Sequence, residues 1–251
     1  MGLSAPVVTG TGDRVTVAAH GLGASIAETR PLLSGVTGRR VFTAARGHTG
    51  DVPAPFGYAD LGDDLLRVAD EYDATRALGV SMGAGALLSL LASRPDRFER
   101  VVLFLPGAID RPRTDDAVRR LGGLASALEA GDRSAVEGYV RAELPPDLHD
   151  LPAAASYIAQ RVEFLLGAPG IAVAVRSLPA SLPVADRAVL GAVSARVLVL
   201  GQEDDPLHPA QVARDLAAAL PNAQLVVFDR PGVVFRERSR LRALISAFLN
   251  D

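Results

Sequence analysis

The sequence contains no cysteine and no lysine. Without thiols, disulfides, thiolate nucleophiles and cysteine-ligated metal sites are all excluded. Every fixed positive side chain is an arginine, and the 26 of them face 29 aspartates and glutamates, for a net charge of −3. That balance offers no general attraction for nucleic acid or an acidic membrane surface. No apolar run approaches the roughly 20 residues that cross a bilayer, the run 171–175 being far too short. Residues 1–10 hold neither a basic n-region nor the apolar h-region of a secretory signal. The expectation is a cytoplasmic protein without a membrane partner, a cofactor or a metal.

What is present is apolar material: 49% of the 251 residues are hydrophobic, enough for one domain with a sizeable core. Short β-branched runs at 15–19, 40–44, 75–80, 101–105, 196–200 and 224–228 read as strands. Longer helical patterns follow them at 58–72, 82–93, 209–220 and 238–249. Alternation of this kind predicts an α/β fold, a mostly parallel sheet with helices on both faces. The unbroken apolar run at 101–105 suits a strand covered on both sides. Between residues 107 and 194 the rhythm changes to helical patterns near 115–128, 134–142 and 153–166, separated by Gly and Pro. A single crossover needs far fewer residues. This stretch therefore reads as a helical cap over one end of a core made of 1–106 and 195–251.

Gly79-Val80-Ser81-Met82-Gly83 lies between a predicted strand and a predicted helix. A Gly-x-Ser-x-Gly turn there is sharp enough to strain its serine, and the glycines avoid clashes on either side. The following helix directs its N-terminal amides and positive dipole at the serine. With this motif, His20-Gly21-Leu22 after the first central strand, and an acidic segment Asp204-Asp205-Pro206-Leu207-His208-Pro209 after the penultimate one, the chain resembles the α/β-hydrolase family from Val15 to Leu249. The likeness departs at the N-terminus, which is short for the family's first antiparallel strands.

The resemblance implies Ser81 as nucleophile and the backbone amides of Leu22 and Met82 as oxyanion hole. It implies Asp205 as the acid, with Asp204 the alternative. A competing dinucleotide motif beginning Gly21-x-Gly23 fails, because Ile26 stands where its third glycine belongs.

At one position the resemblance breaks. The family's base follows the last strand, where this chain carries Val234, and no histidine occurs after His208. A serine without an adjacent base is a poor nucleophile. The substitutes are His20, one strand from the serine, and His149, in the cap segment Pro145-Pro146-Asp147-Leu148-His149-Asp150. His48 reads as structural and His208 as flanking the next helix, while Glu237 and Asp229 are carboxylates near the vacant position.

Three functions follow. One is a serine hydrolase for an ester, thioester or lactone with a displaced base. Another is a non-hydrolytic lyase or cyclase that uses the oxyanion hole on an enolate. The third is an inactive ligand-binding relative. The stripe Ile158, Val162, Leu165 and Leu166 offers either cap packing or an apolar pocket wall for a hydrophobic carbonyl substrate. Arginines 111, 113, 119 and 120 offer either a solvated face or a receptor for an acidic group.

Overall fold

A computed structural model describes residues 4–50, 52, 55–113 and 116–251. Seven strands form one sheet: β1 (Val7–Thr9), β2 (Val15–Ala19), β3 (Arg39–Thr43), β4 (Arg76–Val80), β5 (Arg100–Phe104), β6 (Arg196–Gln202) and β7 (Ala223–Phe228), in the order β1-β3-β2-β4-β5-β6-β7. The short edge strand β1 is antiparallel to β3, and every other pairing is parallel.

The continuous apolar runs have a direct cause. Along β5 and β6, Val101, Leu103, Val197 and Val199 enter the core on one face, while Val102, Phe104, Leu198 and Leu200 enter the core on the other. Helices α2 (Tyr58–Glu71) and α3 (Met82–Ser93) cover the first face, with α8 (Ala210–Ala219). The second face takes α10 (Arg238–Asn250) through Leu241, Ile245 and Leu249, beside the short α1 (Ile26–Thr29) and the turn of 3-10 helix Arg30–Leu33. Helix α2 follows its sequence pattern, since Leu61, Leu65 and Val68 are all buried.

Between β5 and β6 lie α4 (Asp116–Ala130), α5 (Arg133–Arg141), α6 (Pro152–Gly167) and α7 (Ile171–Ser177). The start of the first helix expected at Asp115 falls outside the described residues. The apolar run 171–175 is helical, forming most of α7. These four helices build their own apolar cluster, in which Val136, Val140, Ile158, Val162, Leu165, Ile171 and Val175 meet Met82 and Ala86 of α3. The two ends of the insertion are tied at its root. Val184 donates its amide to Ile109, 3.2 Å. Arg187 forks onto Asp110 at 2.6 Å and reaches Asp215 of α8 at 3.3 Å. After β7 the chain makes a short helix, α9 (Val233–Arg236), that the sequence pattern did not announce. Among the described residues, no single helix is long and apolar enough to cross a membrane.

Candidate active site

The parallel strands deliver their loops to one edge of the sheet, the usual place for chemistry in such folds. Ser81 sits between β4 and α3 with φ 50° and ψ −106°, a conformation that side-chain-bearing residues rarely hold. Its neighbours make the turn possible. A Cβ on Gly79 would come within 2.4 Å of the Gly83 carbonyl oxygen, and one on Gly83 within 2.4 Å of that of Ala19. The Ser81 amide donates to Phe104 at the end of β5 (2.9 Å), and its carbonyl accepts from Gly85 (3.0 Å), so the turn is held at both ends.

Ser81 Oγ lies 2.8 Å from Nε2 of His208. On the other side of that ring, Nδ1 is 3.0 Å from Asp205 Oδ2. An ionised carboxylate only accepts, so the proton resides on Nδ1 and Nε2 presents its lone pair to the serine hydroxyl. The short spacing works because Asp205 folds the turn around itself: its Oδ1 accepts the amides of Leu207 (2.8 Å) and His208 (3.0 Å). The ring is thereby carried back over its own carboxylate and toward α3. Gln202, buried at the end of β6, completes the arrangement. Its amide nitrogen donates to Asp205 Oδ2 at 2.6 Å, and its oxygen accepts the Val233 amide at 3.1 Å. Burial works to raise the Asp205 pKa. The hydrogen bond and charge of His208, the Gln202 amide and the Leu207 amide outweigh it and hold the carboxyl well below the usual range.

The histidine in contact with Ser81 is therefore neither of the two substitutes that the sequence offered, His20 and His149. His20 is buried with both ring nitrogens engaged: Nε2 accepts the Ala45 amide at 3.0 Å and Nδ1 donates to the Gly21 carbonyl at 2.8 Å. Burial pushes its pKa down to about 4, so it stays neutral. His149 turns its Nε2 to the carbonyls of Arg141 (3.0 Å) and Leu144 (3.1 Å), within the inserted helices. Neither reaches Ser81. His48 accepts the Gly23 amide at 2.9 Å, and burial pushes its pKa down to about 3. Asp204 is exposed with a left-handed backbone, leaving Asp205 as the acid in contact with a histidine. The signal for His208 was present as Asp-x-x-His ahead of a helix. Spacing alone does not tell a ring folded back over the turn from one flanking the helix.

Met82 opens α3, so its amide has no partner within the helix. Leu22 lines a small pocket together with Ser81 and Met82, and its loop is held by several contacts. The Gly21 carbonyl accepts from His20 and from the Ala24 amide, the Leu22 carbonyl accepts from Arg161 at 3.0 Å, and the Gly23 amide goes to His48. Arg161, buried on α6, also pairs with Glu28 (3.1 Å) and Glu143 (3.2 Å). Burial raises the Glu143 pKa, against the lowering by Arg161.

A cavity of about 540 Å³ opens beside Ser81 and His208, with Leu22, Val234 and Phe235 in its wall. Val234, at the position where the resemblance calls for histidine, thus serves as lining. The stripe Ile158, Val162, Leu165 and Leu166 is packed within the inserted helices and does not line this space. The face of α6 toward the cavity is instead Ala153, Ser156, Tyr157, Gln160 and Arg161, so of the two readings of the stripe the structure shows packing among the inserted helices. Of the four arginines singled out, Arg113 lines this cavity, while Arg119 pairs with Asp116 and Arg120 donates to the Ala142 carbonyl.

Residues 176–251 match the family model described as TAP-like protein. A curated relative from Caulobacter segnis, named "Putative carbamate hydrolase RutD", is 29% identical over 223 residues, covering 84% of this chain and 81% of its own. Among solved structures, the enol-lactonase of Burkholderia xenovorans superposes with a TM-score of 0.79 at 22% identity, covering 98% of this chain and 96% of its own. A thermophilic esterase from Thermogutta terrifontis gives a TM-score of 0.78 at 20% identity, with coverage of 98% and 92%. The sheet order, the strained serine between β4 and α3 and the likeness to these solved structures agree: the chain has the α/β-hydrolase fold.

Proposed function

We propose that the protein is a serine hydrolase acting on an ester, thioester or lactone carbonyl, with Ser81, His208 and Asp205 as its catalytic residues. The observation that carries this reading is the 2.8 Å approach of His208 Nε2 to Ser81 Oγ with Asp205 on the far nitrogen. The attack forms a bond from Ser81 Oγ to the carbonyl carbon, and the hydroxyl proton passes to His208 Nε2. The carbonyl oxygen gains the electron pair and lies against the Leu22 and Met82 amides. Donors of this kind contribute about 3–4 kcal/mol each in the transition state. Collapse expels the alcohol, thiol or ring oxygen, which takes the proton from His208. Water then gives up a proton to the same nitrogen, attacks the acyl-serine and releases the acid, and His208 returns that proton to Ser81.

The inserted helices act as a cap over the cavity, spanning 107–194. The relatives named as carbamate hydrolase, esterase and enol-lactonase support carbonyl hydrolysis in general and leave the leaving group open. A non-hydrolytic reading was motivated by the lack of a base. With a histidine in contact with Ser81, that motive falls away. A fluorophosphonate reagent should label Ser81 stoichiometrically in folded protein and fail in Ser81→Ala; an unlabelled Ser81 in folded protein would end the proposal.

A further inference from the structure

The cavity beside Ser81 runs to a mouth between α1, the turn Arg30–Leu33 and the start of α10, where exposed Ala27, Pro31 and Arg238 all line it. Arg238 and Arg242 stand one turn apart on α10, so their side chains share a face. Both line the cavity, and among the described residues neither has a hydrogen bond or an ion pair. The acids nearby are already engaged: Glu28 and Glu143 hold Arg161, Asp205 holds His208, and Glu237 holds Arg240. Two guanidiniums without counter-ions at the rim of a cavity are poorly explained by folding, since neither head group is tied to another part of the chain. Tyr157, Gln160 and Arg161 add polar groups to the otherwise mainly apolar wall of the same cavity.

We infer that this mouth is an anion subsite, and that the substrate is a carbonyl compound carrying a carboxylate at the end remote from the scissile bond. The inference rests on the hydrolase reading for the identity of the reacting end. A planar guanidinium fork matches a carboxylate in bidentate geometry. Glu28, lining the same mouth, disfavours a dianionic group. A cavity of about 540 Å³ holds a substrate of the usual small-molecule size with its two ends at Ser81 and at the rim.

The test compares p-nitrophenyl hemiglutarate with the neutral p-nitrophenyl pentanoate, of equal acyl length, in wild type and in the Arg238→Gln/Arg242→Gln double variant. The readout is the ratio of kcat/KM between the two esters within each protein. The wild-type ratio should favour the charged ester by about tenfold, the sum expected of two partly exposed ion pairs. It should approach one in the variant and shrink in 0.5 M salt as the charges are screened. A wild-type ratio at or below one, or a ratio unchanged in the variant, overturns the subsite while leaving the hydrolase reading intact. If neither ester is turned over, calorimetric binding of the hemiglutarate to Ser81→Ala decides the subsite independently. Binding at least fivefold tighter than to the variant also lacking both arginines supports it, and equal binding overturns it.

Discussion

Replacing His208 by alanine removes the group proposed to take the Ser81 proton while leaving the rest of the site in place. Asp205 keeps three of its donors: the Gln202 amide at 2.6 Å, the Leu207 amide at 2.8 Å and the backbone amide of residue 208 at 3.0 Å. The carboxylate therefore stays satisfied, and no buried charge is orphaned. The Leu22 and Met82 amides, the proposed oxyanion donors, belong to segments held by other contacts. The loss is thus confined to base catalysis. Removal of a triad histidine lowers turnover by about six orders of magnitude, or about 8 kcal/mol of transition-state stabilisation. With p-nitrophenyl acetate, His208→Ala should fall to the residual level left by the oxyanion hole and binding, and Asp205→Asn by about four orders. A thermal melt should show His208→Ala folded, and His149→Ala should keep turnover within about threefold, since its ring only serves carbonyls of the inserted helices. Retention of more than about one per cent of wild-type turnover in His208→Ala would place the base elsewhere and refute its assignment to His208.

Two further outcomes follow from individual contacts. Gln202→Leu orphans the buried Val233 amide and removes a donor from Asp205, which should cost about 1–3 kcal/mol of stability, seen as a lower Tm, together with roughly tenfold in kcat; an unchanged Tm and kcat would show the bridge to be idle. Asp110 has its pKa lowered to about 2, first by its hydrogen bond to Arg187. A depressed carboxyl contributes stability that is present above its unfolded value near 4 and is lost as pH falls through about 2. Asp110→Asn should accordingly lower Tm at pH 7 and converge with wild type near pH 2, measured by circular dichroism melts; a constant difference across that range would refute the assignment.

The sequence by itself determined the layers of the fold and the strained turn at Ser81. Strand runs such as 101–105 are apolar at every position, and only a sheet covered on both faces accepts such a run. The Ser81 turn was legible because its glycines answer a local steric demand, visible in the 2.4 Å approaches that any Cβ would make. The same holds for the helix that follows, since its start is fixed by that turn. Local rules of this kind act over a few residues, so spacing records them.

Tertiary structure alone decided which histidine meets the serine. His208 and Ser81 are 127 residues apart and come together because β4 and β6 flank β5 in the sheet, bringing the ends of both strands to one edge. His20 and His149, equally eligible by composition, are spent on backbone groups that only the folded chain brings to them. The stripe on α6 shows the same division. Its period announced a buried apolar face, and the fold turned that face into the inserted helices, leaving Tyr157, Gln160 and Arg161 to the cavity. A hydrophobic period fixes that a face is buried. What it is buried against depends on the packing of elements distant in sequence, which no local pattern encodes.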